Sequence, residues 1–278
     1  MFNDKLVKRM VRWSNTKILL LVFLGFFQEA LTQNIGELGS PIIKYYDWAD
    51  YKASTQNWAV VQGLDGIMYF GNNNGALVFD GKSWELIPVK NNSCVRSLER
   101  DDSGRIFIGA IGDFGYLKPD INGKLQFESL LPKLDSTHRN FNDVWDVFAV
   151  KSGVYFFTDN LIFLYEKDTV KRIYESKTYF FPYKVQQSIF LLNNKVYLLN
   201  GEKLLPIPHT DLKNYRGNPL IMEYDDSKVL CINNIDCFTI NMSLLNLNDT
   251  LANDKIKKGQ IIEKIPLDFD VLLNENRI

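Results

Sequence analysis

Three stretches of the chain rhyme: Asp65-Gly66-Ile67-Met68-Tyr69-Phe70-Gly71, Ser103-Gly104-Arg105-Ile106-Phe107-Ile108-Gly109 and Ser152-Gly153-Val154-Tyr155-Phe156-Phe157. Each is a polar-glycine turn feeding a short run of β-branched and aromatic residues, the composition of a strand. In the first two copies a loop follows, then a second glycine-led strand, Gly75-Ala76-Leu77-Val78-Phe79-Asp80 and Gly115-Tyr116-Leu117-Lys118-Pro119-Asp120. Gly66 to Gly104 is 38 residues and Gly75 to Gly115 is 40, so the second copy carries two more residues in its loop. A self-similar period near 40 with four short strands per unit is the signature of a β-propeller. The expected fold class is therefore all-β, a β-propeller of four-stranded antiparallel blades. Such an architecture favours a binding platform. The repeat accounts for glycines and aromatics without saying what is bound.

The spacing predicts a first blade with strands Trp58–Val61, Ile67–Phe70, Ala76–Phe79 and Trp84–Ile87. Asp65-Gly66, Asn74-Gly75 and Asp80-Gly81 supply the positive φ that tight hairpins need. A second blade follows as Val95–Leu98, Arg105–Ile108, Phe114–Leu117 and Leu125–Glu128. After a polar insertion from Leu131 comes a third, Val144–Phe148, Val154–Phe157, Leu161–Tyr165 and Val170–Tyr174. The rhythm then loosens. Val185–Leu192, Lys195–Leu199 and Leu204–Ile207 fit a fourth blade, and Leu220–Tyr224, Lys228–Ile232 and Cys237–Asn241 fit part of a fifth. Before the blades, Ser40–Trp48 reads as a lone strand able to complete the last blade and close the ring. The domain reading is thus a pre-blade segment over 33–55, blades over 56–241, and over 242–278 an irregular start of a further blade or a truncated end.

The front of the chain reads differently. Lys5, Lys8, Arg9, Arg12 and Lys17 precede the ten-residue apolar run Ile18–Phe27, half of the roughly 20 residues a bilayer crossing needs. With Gln28-Glu29-Ala30-Leu31-Thr32 behind it, this is the pattern of a secretory signal peptide over 1–32, cleaved after Thr32. An uncleaved anchor is the alternative, and under either the remainder is exported. No later apolar stretch reaches spanning length, so membrane contact is expected only through an uncleaved leader or downstream parts outside this chain. A formal net charge of −1 without a basic stripe excludes a nucleic-acid surface on this segment.

Chemistry is sparsely written. Cys94, Cys231 and Cys237 make no disulfide framework. Cys231 and Cys237 flank a hairpin through Asn233-Asn234, where a bridge is conceivable, but they read as small buried hydrophobes. His138 and His209 stand in separate connectors without ligand partners, so no metal and no cofactor is expected. There is no Gly-x-Ser-x-Gly motif, and Gly109–Gly115 is followed by a strand rather than the helix a phosphate loop requires. No carboxylate pair is nominated by spacing, so no enzyme is expected. Strand direction is more informative. The loops between second and third strands share one end of the ring with the blade connectors. That end gathers Asn72, Asn73 and Asn74 from the first blade, Ile111, Gly112 and Asp113 from the second, and Asp159 and Asn160 from the third. Of these Asn72, Asn73, Asn74, Asp113, Asp159 and Asn160 are the candidate ligand-binding residues, since converging amides and carboxylates suit a hydroxyl-rich ligand. Turn preference alone would also place Asn and Asp there. Trp58, Trp84 and Trp145 read as packing between blades, and Tyr45, Tyr46, Trp48 and Tyr51 as seam closure.

From Pro41 to about Tyr165 the chain resembles a known family. The residues that carry the likeness are Tyr51, Gln56-Asn57-Trp58, Asp65–Asn72, Phe79-Asp80-Gly81-Lys82-Ser83-Trp84, Val95-Arg96-Ser97-Leu98, Gly109-Ala110 and Gly112-Asp113-Phe114-Gly115-Tyr116-Leu117. They are similar to the periplasmic sensor propellers of Bacteroidetes signalling proteins, the two-component regulator propeller family that continues into a triple-tyrosine domain. The resemblance implies a seven-bladed periplasmic sensor, of which about five blades stand here, as the N-terminal part of a longer product or the product of a truncated gene. It implies a membrane helix and a helix-turn-helix or histidine-kinase output downstream, a homodimer in the full-length protein, and a small-molecule or oligosaccharide ligand such as a glycan breakdown product. It transfers no ligand-contact residue. The expected function is the exported ligand-input portion of a signal-transduction or transcription regulator; the alternative is an exported propeller hydrolase or lyase acting on polysaccharide.

Overall fold

A computed structural model describes residues 43–207, 210, 220–232, 237–242 and 262–265. The predicted leader over 1–32 and the start of the lone strand, Ser40–Ile42, lie outside the described residues.

Among the described residues, twenty strands form five separate four-stranded antiparallel sheets, each in simple sequence order. The first holds β1 (Asn57–Gln62), β2 (Met68–Asn72), β3 (Gly75–Phe79) and β4 (Trp84–Ile87), and the second β5 (Val95–Arg100), β6 (Ile106–Ala110), β7 (Asp113–Pro119) and β8 (Leu125–Ser129). The third holds β9 (Asp146–Val150), β10 (Gly153–Phe157), β11 (Leu161–Glu166) and β12 (Thr169–Glu175), and the fourth β13 (Phe181–Val185), β14 (Ser188–Leu192), β15 (Val196–Asn200) and β16 (Lys203–Pro206). The fifth is β17 (Leu220–Glu223), β18 (Lys228–Ile232), β19 (Cys237–Asn241) and β20 (Ile262–Ile265). The first strands β1, β5 and β9 lie side by side, as do β13 and β17. These are the inner strands of propeller blades, and the expected fold class holds.

The repeat glycines explain how the blades come so close. Ala59 of β1 pairs with Gly71, and Ser97 of β5 pairs with Gly109. A methyl group on Gly71 would sit 2.9 Å from the Val95 carbonyl of the next blade; one on Gly109 would sit 2.3 Å from Ser97 Oγ and 2.9 Å from the Val144 carbonyl. Both glycines therefore clear the path of the following inner strand. Apolar clusters fill each gap between consecutive sheets. Tyr69, Val78 and Ile87 meet Val95, Leu98 and Ile108 between the first two, and Phe107 and Phe114 meet Val147, Phe156 and Phe163 between the next. Tyr155, Phe157 and Ile162 meet Ile189 and Leu191, and Phe190, Leu192 and Val196 meet Ile221, Val229 and Phe238. Between inner strands, Lys184 of β13 pairs with Glu99 of β5 and donates to the Ala149 carbonyl of β9 at 3.3 Å, tying three consecutive blades together.

Four expectations are corrected. Val185–Leu192 is not one strand: a turn at Gln186, with φ 53°, separates β13 from β14, so Phe181–Val185 is the inner strand of the fourth blade. Ile262–Ile265 pairs with β19 and completes the fifth sheet rather than starting another. The segment ahead of the first blade is no strand over 43–48; Trp48–Tyr51 is a one-turn helix, α1, capped reciprocally by Asp47 and Asp50. Tyr46 and Tyr51 pack on Trp84 at ring distances of 5.3 and 5.5 Å, covering the outer strand of the first sheet. Trp58, last, is no buried packing residue, being 43% exposed. The cysteine reading holds: all three are free and buried. Ile232 pairs with Cys237 and Cys231 with Phe238, and because side chains alternate across a strand the two thiols lie on opposite faces of the sheet.

Candidate functional site

In β1, Trp58 falls between the paired residues Asn57 and Ala59 and has no partner of its own; in β5, Arg96 falls in the same way between Val95 and Ser97. These are bulges, which kink a strand locally and re-aim a side chain. Trp145, immediately before β9, occupies the corresponding place in the third blade. The two bulges, with Trp145 at the same phase of the third blade, bring the three together at one mouth of the blade array. The Arg96 guanidinium lies 4.0 Å from the centroid of the Trp58 ring and 4.9 Å from that of Trp145, whose rings stand 6.5 Å apart at 70°. A desolvated cation against an indole face gains about 1–2 kcal/mol, so this geometry is energetically favoured.

Polar groups fix each member. Arg96 Nε donates to Asp143 Oδ1 at 2.5 Å, with both side chains less than a fifth exposed. The Nη groups of Arg96 make no hydrogen bond among the described residues, so they remain available at the mouth. Trp58 Nε1 donates to Asn73 Oδ1 at 2.8 Å, and Cys94 Sγ donates to the same oxygen at 3.2 Å. Trp145 Nε1 donates to Asp159 Oδ1 at 2.8 Å. Beside this pair, Asp146 opens β9 with no hydrogen bond to offset its burial, which pushes its carboxyl up to about 6. Tyr179, in the next connector and 44% exposed, has its phenol raised by partial desolvation and then by the Asp146 and Asp159 carboxylates. The mouth thus combines two aromatic faces, one partly engaged guanidinium and several carboxylates.

The six residues expected at this mouth divide. Asn73 and Asp159 orient the two tryptophans. Asn72 is fully buried: its Nδ2 donates to the carbonyls of Ser54 and Gln56 and to Asn57 Oδ1, and its Oδ1 accepts from Asn74 N. Asn74 Oδ1 accepts from Ser54 N at 2.6 Å. Both amides anchor the segment that enters β1. Asp113 is 2% exposed, its Oδ1 accepting from Ser129 Oγ and Phe114 N; burial raises its carboxyl, and Oδ2 has no hydrogen-bond partner among the described residues. Asn160 is exposed, and its side chain makes no hydrogen bond among the described residues. The sequence reading missed Trp58, Arg96, Trp145, Asp146 and Tyr179 as mouth residues. A signal for three of them existed: Trp58, Arg96 and Trp145 each stand eight residues before their repeat glycine, Gly66, Gly104 and Gly153. No group of three or more metal-ligating side chains converges among the described residues.

Fold and mouth together define a β-propeller with an aromatic-cation cluster at one end. No protein-family model matches the chain, and no curated protein matches it. Among solved structures it is similar to the extracellular domain of a hybrid two-component system from B. thetaiotaomicron, with 12% identity and a TM-score of 0.51 over 81% of this chain and 33% of that one. Virginiamycin B lyase from Staphylococcus aureus matches with 12% identity and a TM-score of 0.47 over 75% of this chain and 69% of that one. PorZ, a surface component of the type-IX secretion system of Porphyromonas gingivalis, matches with 14% identity and a TM-score of 0.48 over 86% of this chain and 28% of that one. The chain spans about a third of the length of the two-component protein's chain. At these identities the likeness is one of fold.

Proposed function

We propose that this chain is an exported, non-catalytic ligand-binding propeller, the periplasmic input portion of a signal-transduction or transcription regulator. Its ligand, a small molecule or an oligosaccharide, is held at the Trp58–Arg96–Trp145 mouth. The observation that carries the reading is that bulges and repeat phase deliver two indoles and a guanidinium from three blades to one place. Indole faces stack on sugar or aromatic rings, and the Arg96 Nη groups and Asp143 supply hydrogen bonds to hydroxyls. The leader pattern over 1–32 supports export, and the likeness to a two-component extracellular domain agrees with a sensor built on this fold. Tryptophan fluorescence titrated with a panel of oligosaccharides tests it: a saturable change for at least one, reduced about tenfold in affinity by Trp58→Ala, is expected, one indole stack contributing about 1–3 kcal/mol. A panel without any response would remove the oligosaccharide from the reading.

One observation favours a second reading, a polysaccharide hydrolase or lyase. Asp146, with its carboxyl near 6, and Asp159, which accepts from an indole, both act on Tyr179. A carboxyl held near 6 by burial is suited to general acid work. Release of new reducing ends or unsaturated products from a polysaccharide panel, lost in Asp146→Asn, would establish that reading in place of the first.

A further inference from the structure

We propose a second binding site at the end of the blades opposite the mouth, for a small organic anion, a carboxylate or sulfate carried on a ring-sized body. A groove of about 970 Å³ opens there, lined by Tyr69, Arg105, Tyr116, Lys118, Tyr165 and Asp168 among others. A smaller cavity of about 320 Å³ adjoins it and shares Ser103, Arg105, Tyr165 and Lys167.

The charge and donor inventory picks the ligand class. Arg105 lies 4.9 Å from the Tyr116 ring centroid and 5.7 Å from that of Phe107, so two rings hold its plane. Its guanidinium, one of the groove's lining groups, makes neither a hydrogen bond nor an ion pair among the described residues, so its N–H donors are uncommitted. The other charges of the larger groove are matched. Lys118 pairs with Glu128 at 3.0 Å, Lys167 with Glu166 at 2.9 Å, and Asp168 with Lys133 at 2.7 Å. Asp101, in the smaller cavity, is committed to its own turn, accepting from the Ser103 amide and hydroxyl and from the Arg105 amide. The phenols of Tyr69 and Tyr116 likewise have no hydrogen-bond partner among the described residues. Besides Lys133, the one cation of the groove that Asp168 feels among the described residues is Arg105, without a direct ion pair between them. With two phenols around a ring-sized space, its fork-shaped guanidinium matches an oxyanion that offers two oxygens side by side, a carboxylate or a sulfate. The Tyr116 and Tyr165 rings, 6.3 Å apart at 34°, supply walls for the body that carries it.

The far wall is strained. The turn between β11 and β12 is the two-residue pair Lys167-Asp168, with φ of 47° and 61°, where hairpins ordinarily use Asn-Gly. Tyr165 Oη donates to Asp168 Oδ1 at 3.2 Å and Lys133 holds the other oxygen, so the unfavourable turn is braced from both sides. Strain of this kind persists where the surrounding structure over-determines it, and it gathers at ligand clamps.

Calorimetric titration of the purified protein with benzoate, benzamide and acetate tests the site. Benzoate is expected to bind in the millimolar range or better, with benzamide and acetate each at least about tenfold weaker, because one lacks the charge and the other the ring. Arg105→Gln should weaken benzoate by about tenfold or more and Arg105→Lys by less, with unchanged melting temperatures confirming folded protein. Arg96→Gln, at the other end, should leave benzoate binding intact. Benzoate binding no tighter than benzamide, undiminished in Arg105→Gln, or abolished in Arg96→Gln would each overturn the proposal. Loss of saccharide binding at the mouth would leave it standing.

Discussion

Asp146→Asn should stabilise the protein at neutral pH and leave it unchanged in acid. The Asp146 carboxyl is carried from 3.8 to about 6 by burial alone, with no hydrogen bond or cation offsetting it. A folded value above the unfolded one means that between about 3.8 and 6 the native state binds more protons than the unfolded state, so this group's contribution falls as pH rises. Two pH units correspond to about 3 kcal/mol, an upper bound reached above pH 7 and absent below pH 3.5. The amide keeps the shape and carries no charge, so it removes that penalty. For a domain of this size the gain corresponds to roughly 6–10 °C in melting temperature at pH 7.5. Thermal unfolding of both proteins from pH 4 to pH 8 should show curves that converge in acid and separate through pH 6. A difference that is constant across the range, or that reverses sign, would refute a buried and uncompensated carboxyl. A carboxyl that destabilises the fold while standing at the mouth is what a binding or proton-transferring role would retain.

Four further outcomes follow from the same structure. Gly109→Ala should destabilise by about 2–4 kcal/mol in urea unfolding, since its methyl would meet Ser97 Oγ at 2.3 Å and backbone at 2.9 Å. Gly81→Ala, with open space around it and a φ of +93°, should cost only about 1 kcal/mol of backbone strain. Phe114→Ala should cost about 3–5 kcal/mol, because the ring is fully buried and stacks on Phe156 at 4.4 Å and Phe163 at 5.2 Å between two blades. Cys231 should resist iodoacetamide in the native state at pH 8, its thiol pushed up to about 12 by burial, and react after denaturation, as mass spectrometry would show.

The first three blades were legible almost strand for strand because their turns are written in glycine. Gly66 and Gly104 both adopt positive φ, at 85° and 87°, and mark the hairpins between first and second strands. The fourth blade blurred where that chemistry changes: Gln186 takes the left-handed conformation that glycine takes elsewhere, and the apolar residues on either side then read as one run. The fifth blade lost its last strand because β20 comes from distant sequence, 21 residues after β19 ends at Asn241 and Ile262 begins. Pairing across such a separation is decided by the edge that β19 offers, and nothing in the local pattern of Ile262–Ile265 announces it.

The mouth shows the same divide between local and non-local information. Asn72, Asn73, Asn74, Asp159 and Asn160 stood out because turns favour their residue types, and that preference is why Asn72 and Asn74 turn out to hold the loop rather than face outward. The sequence alone places Trp58 and Trp145 in the core, because an indole within a strand of a repeat is ordinarily buried. What exposes Trp58 is a bulge, and a bulge is a property of two strands: it arises where Ala59 and Ser97 pair with glycines that let the next blade's backbone through. The close approach and the displaced side chain are therefore one event, repeated in successive blades. The first blade uses it to present an indole and the second a guanidinium, and in the third Trp145 stands at the same phase without the bulge. A ligand that reads this mouth reads the side chain each blade places eight residues ahead of its turn glycine, so exchanging Trp58 and Arg96 within the repeat should alter what is bound while leaving the blades folded.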